Sequence, residues 1–313
     1  MSFSADTKNE LARINPEKKC CRLAEISGFV RMCGSVRLVG GGRLTLALST
    51  ENPATARHYK TLIKDYFGAD ANILVGSPGF SKRGHIYELC LDEGMDAEQM
   101  LRETGILLVR EGCNCIGDGI YDGLLKTKCC RKAFLRGVFL GAGTLGDPER
   151  GYHLEISCGT ETLAADVRRL FNSFVDIDAR LTRRKGRCAV YLKSSEQISD
   201  MLNIMGAHSQ LLKFENVRIL KDLRNRTNRI NNCDNANMDK TLRAAEGQIA
   251  GIARLRDARG LESLPEGLRL LATARLENPD ASLEELGGML DPPLKKSGVH
   301  HRLKKIEEAA ARL

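Results

Sequence analysis

Between residues 295 and 305 the chain gathers Lys295, Lys296, Ser297, His300, His301, Arg302, Lys304 and Lys305 around an apolar series, Val299, Leu303 and Ile306. The apolar residues stand at i, i+4 and i+7, so they define one helix face and leave the polar residues on the other. Lysine and arginine neutralise phosphates, while serine and imidazole donate to base edges. The chemistry implied is non-covalent recognition of a polyanion. Other basic groups are Arg183, Arg184, Lys185 and Arg187 at a turn, Lys82 and Arg83 at another, and Arg218, Lys221, Arg224, Arg226 and Arg229, opposed only by Asp222. Thiols form a second group: Cys20 with Cys21, Cys129 with Cys130, and Cys113 with Cys115. Structural zinc sites normally place two to four residues between paired cysteines. No metal and no cofactor is therefore expected. His300 and His301 have no cysteine or acid cluster beside them and read as donors to DNA.

These residues need scaffolds. At 313 residues the chain has room for two or three domains, and 42% hydrophobic with 28% charged residues is a globular balance. No segment reaches 18 consecutive apolar residues, and the opening Met1 to Asp6 lacks a basic run followed by an apolar one, so a cytoplasmic protein without membrane spans is expected. Eleven cysteines, an odd number in an unexported chain, then read as reduced thiols. A net charge of +8 suits a nucleic-acid partner, but many enzymes share it, so its distribution carries more weight.

The first two-thirds contain a repeat. Lys19, Cys20, Cys21, Arg22 and Ala24 recur as Lys128, Cys129, Cys130, Arg131 and Ala133, and the same offset matches Ile26 with Leu135, Gly28 with Gly137 and Gly34 with Gly143. Each copy continues with an alternating segment (Leu44 to Ser49; Tyr152 to Ser157), a helical one (Ala54 to Phe67; Leu163 to Phe174), further strands (Ile86 to Leu91; Cys188 to Leu192) and a closing helix near Asp96 or Ser195. The reading is α-β-β-α-β-β-α twice, an α+β fold. The segments from Ile26 to Gly34 and from Leu135 to Gly143 resemble two degenerate LAGLIDADG motifs. The resemblance implies paired helices on a pseudo-two-fold axis, with Gly28 and Gly137 permitting close approach. In endonucleases of that family the eighth motif position is a metal-binding acid; here it is Cys33 or Ala142. Mg²⁺ prefers carboxylate oxygen to a thiol, and a methyl group ligates nothing. Asp118, Asp122 and Asp147 lie nearby, but none matches between the copies, so no nuclease activity and no catalytic residue is expected.

Beyond residue 212 a basic connector helix is expected over 213–237, ending in an Asn-rich turn, followed by a helical domain over 238–313 whose first helix runs from Met238 to Leu255. Leu264, Leu268, Leu271 and Ala272 mark the next helix, stopped at Asn278 Pro279 Asp280. Ser282 and Glu285 read as a capping box opening another, with Gly287 as the small residue at a helix crossing. Asp291 Pro292 Pro293 breaks it before the basic helix. Short helix, tight turn and basic third helix, over about 281–313, make a helix-turn-helix that reads DNA. The duplicated domain is assigned to 1–212, with halves at about 18–108 and 127–212.

The opening Ser2 Phe3 Ser4 to Lys8 Asn9 Glu10 Leu11, the segment Glu215 Asn216 Val217 Arg218 to Asn237, and Lys296 to Leu303 together resemble the WhiA family across nearly the whole chain. That resemblance implies a DNA-binding transcriptional regulator tied to cell division, chromosome segregation and sporulation, located on the nucleoid. A second reading stays open: a division or nucleoid-associated interaction protein whose DNA contacts are mainly positional. The expected partners are double-stranded DNA and a protein of transcription or division. Because one chain satisfies the two-fold, a monomer is expected.

Overall fold

The computed structural model describes residues 2–39, 43–76, 85–91, 95–110, 112–184 and 186–312. Lys82, Arg83 and Lys185 lie outside the described residues. The chain forms two compact units, residues 1–221 and 222–313.

In the first unit the two copies appear in the expected order. The first is α2 (Lys19–Cys33), β1 (Gly34–Val39), β2 (Arg43–Thr50), α3 (Pro53–Phe67), β3 (Asn72–Gly76), β4 (Ile86–Leu91) and α4 (Met95–Glu103). The second is α5 (Lys128–Ala142), β7 (Gly143–Leu145), β8 (Leu154–Cys158), α6 (Glu161–Phe171), β9 (Arg180–Arg184), β10 (Arg187–Leu192) and α7 (Ser195–Met205). Each copy builds a four-stranded antiparallel sheet, ordered β1-β2-β4-β3 and β7-β8-β10-β9. Local chemistry explains the helix starts. Asn52 accepts from Ala54 N at 2.8 Å and Thr55 N at 3.0 Å ahead of Pro53, whose fixed φ suits a first turn. Gly68, at φ +72°, closes α3. Thr160 caps α6 in the same manner.

Residues 24–30 of α2 and 133–140 of α5 are buried without interruption, as befits helices enclosed by each other and by the sheets. Their backbones nearly touch. A Cβ on Gly28 would collide with the Phe134 carbonyl and lie 3.1 Å from Val138 N. One on Gly137 would collide with the Glu25 carbonyl and lie 3.0 Å from Phe29 N. Beside these glycines, buried Glu25 accepts from Arg136 Nε at 3.0 Å and Nη2 at 2.5 Å, and its other oxygen meets His58 Nε2 at 3.0 Å. A buried carboxylate survives only with such partners.

Three elements depart from the sequence reading. Helix α1 (Phe3–Leu11), capped by Ser2, buries only Thr7 and Leu11 and so shows little periodicity. A hairpin of β5 (Leu107–Arg110) and β6 (Cys113–Ile116) separates the copies. Third, the connector and the Met238 helix are one continuous α8 (His208–Arg259), 52 residues long, with no turn in its Asn-rich part. Asparagine is a poor helix former, but no proline or left-handed glycine interrupts the segment, and Thr227 and Thr241 hydroxyls bond back to the carbonyls four residues before. Glu10 of α1 caps the start of α8 through Ser209 N at 2.7 Å and Gln210 N at 2.9 Å.

In the second unit Ile252 and Leu255 of α8 pack with α9 (Glu266–Glu277), α10 (Leu283–Gly288) and α11 (Lys296–Ala310) around Leu271, Leu286, Val299, Leu303 and Ile306. Among the described residues no helix is long and apolar enough to cross a membrane.

Gly137→Ala should lower the unfolding free energy of the first unit by about 3 kcal/mol, since a backbone carbonyl cannot step aside. Urea titration is the measurement, with Gly151→Ala as control because a Cβ there meets nothing within 4 Å. Equal midpoints for both variants would show that the helices separate freely.

Candidate nucleic-acid interface

The helix-turn-helix is held by three polar devices. Ser282 and Glu285 form the expected capping box, the Glu285 carboxylate accepting from Ser282 N at 2.8 Å and the Ser282 hydroxyl from Glu285 N at 3.3 Å. Leu294 N donates to the Gly287 carbonyl at 2.9 Å, and a Cβ on Gly287 would strike the Leu294 carbonyl. The small residue is thus required by the turn before α11 as well as by Val299, 3.1 Å from that Cβ position. Arg275 is 2% exposed, and its Nη1 donates to the Ala281 carbonyl at 2.6 Å, fastening the chain between α9 and α10.

That frame presents α11. Lys295, Lys296, Ser297, His300, His301, Lys304 and Lys305 are exposed, whereas Val299, Leu303, Ile306 and Ala310 are buried. Arg302 differs from its neighbours. It is half-buried, and Nη1 donates to the Gly267 carbonyl at 3.2 Å, bracing α11 against α9. Sequence periodicity could not separate it from the free face, because position 302 borders the apolar stripe.

The second sheet divides the other candidates. Pairing Arg187 with Arg184, Ala189 with Thr182 and Tyr191 with Arg180 puts Arg187 and Arg180 on the sheet face away from buried Cys188, Val190 and Leu192. Arg183 pairs with Cys188, lies on the helix-covered side, and reaches Glu161 of α6 at 3.5 Å. Arg180, which the sequence reading passed over, occupies the open face; strand alternation from Cys188 carries that signal. On α8, Arg218 is tied to Glu215 at 3.3 Å, and Arg224 is exposed.

Cys33 and Ala142 end α2 and α5, as the motif alignment requires. Cys33 Sγ bonds to the Phe29 carbonyl at 3.2 Å, and burial pushes its thiol up, with Lys8 opposing. Burial holds the Lys8 ammonium below the ordinary lysine range, while Cys33 and Glu51 act in the other direction. Lys8, Ser49, Glu51, Ala142 and Thr144 line an open cleft of about 1350 Å³. At the opposite ends of the same helices, the two cysteine pairs converge. Cys21 Sγ lies 3.9 Å from Cys130 Sγ, and the sulfurs of Cys20, Cys21 and Cys130 are all within 4.8 Å of one another. The Thr127 hydroxyl, followed by Cys21, draws the Cys129 thiol down to about 7. Spacing within one pair hid this cluster, because its members come from helices 109 residues apart.

Family models described as the WhiA N-terminal LAGLIDADG-like domain, the WhiA LAGLIDADG-like domain and the WhiA C-terminal HTH domain match residues 19–107, 131–224 and 227–310. A protein of Alkaliphilus oremlandii named probable cell division protein WhiA is 47% identical over 315 residues, covering 100% of this chain and 98% of its own. One of the same name from Heliobacterium modesticaldum is 46% identical over 310 residues, covering 99% and 96%. The crystal structure of full-length DUF199/WhiA from Thermatoga maritima aligns with a TM-score of 0.59 at 26% identity, over 100% of this chain and 99% of that one.

The capping box predicts a pH dependence. Hydrogen bonds from Ser282 hold Glu285 below its ordinary value of 4.5. A depressed carboxyl stabilises the fold above the unfolded-state value and loses that contribution as pH falls through the folded-state value. Glu285→Gln should therefore melt earlier than the parent at neutral pH, the gap narrowing as the solution is acidified below 4.5. Thermal melts over a pH series would show it, and a gap independent of pH would remove the ionised carboxylate from the account.

Proposed function

Because the chain belongs to the WhiA family, we propose that it is a non-enzymatic, DNA-binding regulator of transcription serving cell division, chromosome segregation and, where the organism sporulates, sporulation. The observation that carries this reading is α11: a helix anchored by Val299, Leu303 and Ile306 whose opposite face exposes Lys295, Lys296, Ser297, His300, His301, Lys304 and Lys305. A helix presented by a helix-turn-helix enters the major groove with its N-terminal side chains at base edges. In this reading Lys296, Ser297, His300 and His301 take base edges, and the other lysines take phosphates. Glu307 and Glu308 would repel phosphate, so the DNA-facing surface ends near Lys305. Arg180 and Arg187 on the open sheet face, with Arg224 on α8, supply secondary, sequence-independent contacts. The relatives' name, probable cell division protein, supports the cellular role.

The absence of nuclease chemistry is part of the same proposal. A neutral thiol at Cys33 and a methyl at Ala142 offer no oxygen ligand to Mg²⁺, and the Lys8 ammonium beside Cys33 opposes a further cation there. One chain contains both halves of the pseudo-symmetric scaffold, which supports a monomer acting on the nucleoid.

The test begins with fragments selected from the organism's own genomic DNA. Lys296→Ala or His301→Ala should each weaken binding to the selected fragment by about 1–3 kcal/mol, the worth of one hydrogen-bonded side chain at a base edge, and Lys304→Ala should chiefly flatten the salt dependence. Arg302→Ala should instead lower the melting point of the second unit. Unchanged affinity in the first two variants at fixed salt would sink the assignment. Genomic occupancy without local transcript change would transfer the role to a positional interaction protein, and Mg²⁺-dependent cutting of duplex DNA would restore an enzyme.

A further inference from the structure

We propose that Cys20, Cys21, Cys129 and Cys130 form a closed tetrahedral thiolate site for zinc that staples the N-terminal ends of α2 and α5 across the pseudo-two-fold axis. The geometry begins with the repeat. Each pair occupies the second and third positions of its helix, following the caps Lys18 and Thr127. Adjacent residues on a helix diverge by about 100°, so a single pair cannot surround an ion. Two pairs facing each other across the axis can. The second cysteine of each pair points between the helices and is buried, and the first stands at the rim and is exposed.

Distances agree with an ion in the middle. Zinc–thiolate bonds of about 2.3 Å in a tetrahedron require sulfurs about 3.8 Å apart. Cys21 and Cys130 are 3.9 Å apart, and Cys20 lies within 4.8 Å of both. Cys129 stands outside this trio, its Sγ bonded to the Thr127 hydroxyl at 3.2 Å, with Cys21 and Lys18 of the other helix acting on its thiol. In the proposed site Cys129 turns from Thr127 toward the ion as the fourth ligand.

Burial pushes the Cys21 and Cys130 thiols up, and the charges around the site act against that. Four thiolates around a divalent ion carry a net double negative charge. Two helix N-termini, each worth roughly half a positive charge, converge on it, and Lys18 acts on Cys129 directly. An all-sulfur donor set selects a soft or borderline ion and rejects Mg²⁺ and Ca²⁺. With all four positions filled by protein, no site remains for substrate, so the role is structural. A Cys21–Cys130 disulfide is the competing use of these atoms, but it would leave the rim thiols unexplained.

Full-length protein without an affinity tag, purified under reducing conditions with no chelator, should contain one zinc per chain by elemental mass spectrometry. Exchange into cobalt should give the visible bands and near-ultraviolet sulfur charge transfer of tetrahedral thiolate ligation. Cys20→Ser and Cys129→Ser alter only the rim; each should keep the parent circular dichroism while zinc falls to a small fraction of an equivalent and the melting point drops. Protein that holds no zinc and takes up cobalt without those bands would overturn the proposal. So would a Cys21–Cys130 disulfide in protein alkylated at lysis, or full zinc content in both rim variants.

Discussion

The first unit depends on the backbone approach of α2 to α5 at Gly28 and Gly137. Where a Cβ would meet a carbonyl oxygen, the helices are closer than side-chain packing permits, and this approach sets their register along the axis. That register places Glu25 against Arg136 and Cys21 against Cys130, each pair joining one helix to the other. The sheets follow, because β1 and β7 begin directly at the helix ends, with Gly34 and Gly143 as the caps. A small error at the glycines would propagate through the buried ion pair to both sheets.

The second unit reaches precision by different means. In place of one long seam between two helices, its short helices have ends that are tied individually. Glu285, Arg275 and Arg302 each attach a side chain to a backbone group at a corner. Buried Arg275 has no acidic partner among the described residues, and burial lowers its pKa, so the carbonyls at the turn carry its stabilisation. Such ties suit a module that must present one rigid face, since hydrogen bonds to a charged donor are directional where apolar packing is not.

Sequence reading succeeded where an element carries its own boundary. Ser282 with Glu285 announces a helix start locally, and Ile86 to Leu91 emerges as the strand expected. It failed where an element is defined by a distant partner. Helix α1 is held by bonds such as Leu145 N to Ser4 Oγ at 3.2 Å, and by its capping of α8, neither visible in nine residues. Asparagines 225 to 237 suggested a turn because their propensity is weak, yet propensity decides little where nothing breaks the helix. Among site residues, the exposed lysines of α11 were legible from period alone. Arg302 was not: its bond to the Gly267 carbonyl leaves it half-buried, whereas Arg183 meets Glu161 and stays exposed.

The two ends of the paired helices differ in polarity, and the residues at each end match that difference. A helix C-terminus is electrostatically negative, so a carboxylate in the last turn is unfavourable unless a metal offsets it. Cys33 and Ala142 bring no such charge to these ends, and an ammonium such as Lys8 is favourable there. The N-terminal ends have the opposite polarity and favour anions, which is where the thiols collect. Dipoles that disfavour carboxylates at one end of α2 and α5 thus favour negative sulfur at the other, against the burial that pushes the Cys21 and Cys130 thiols up.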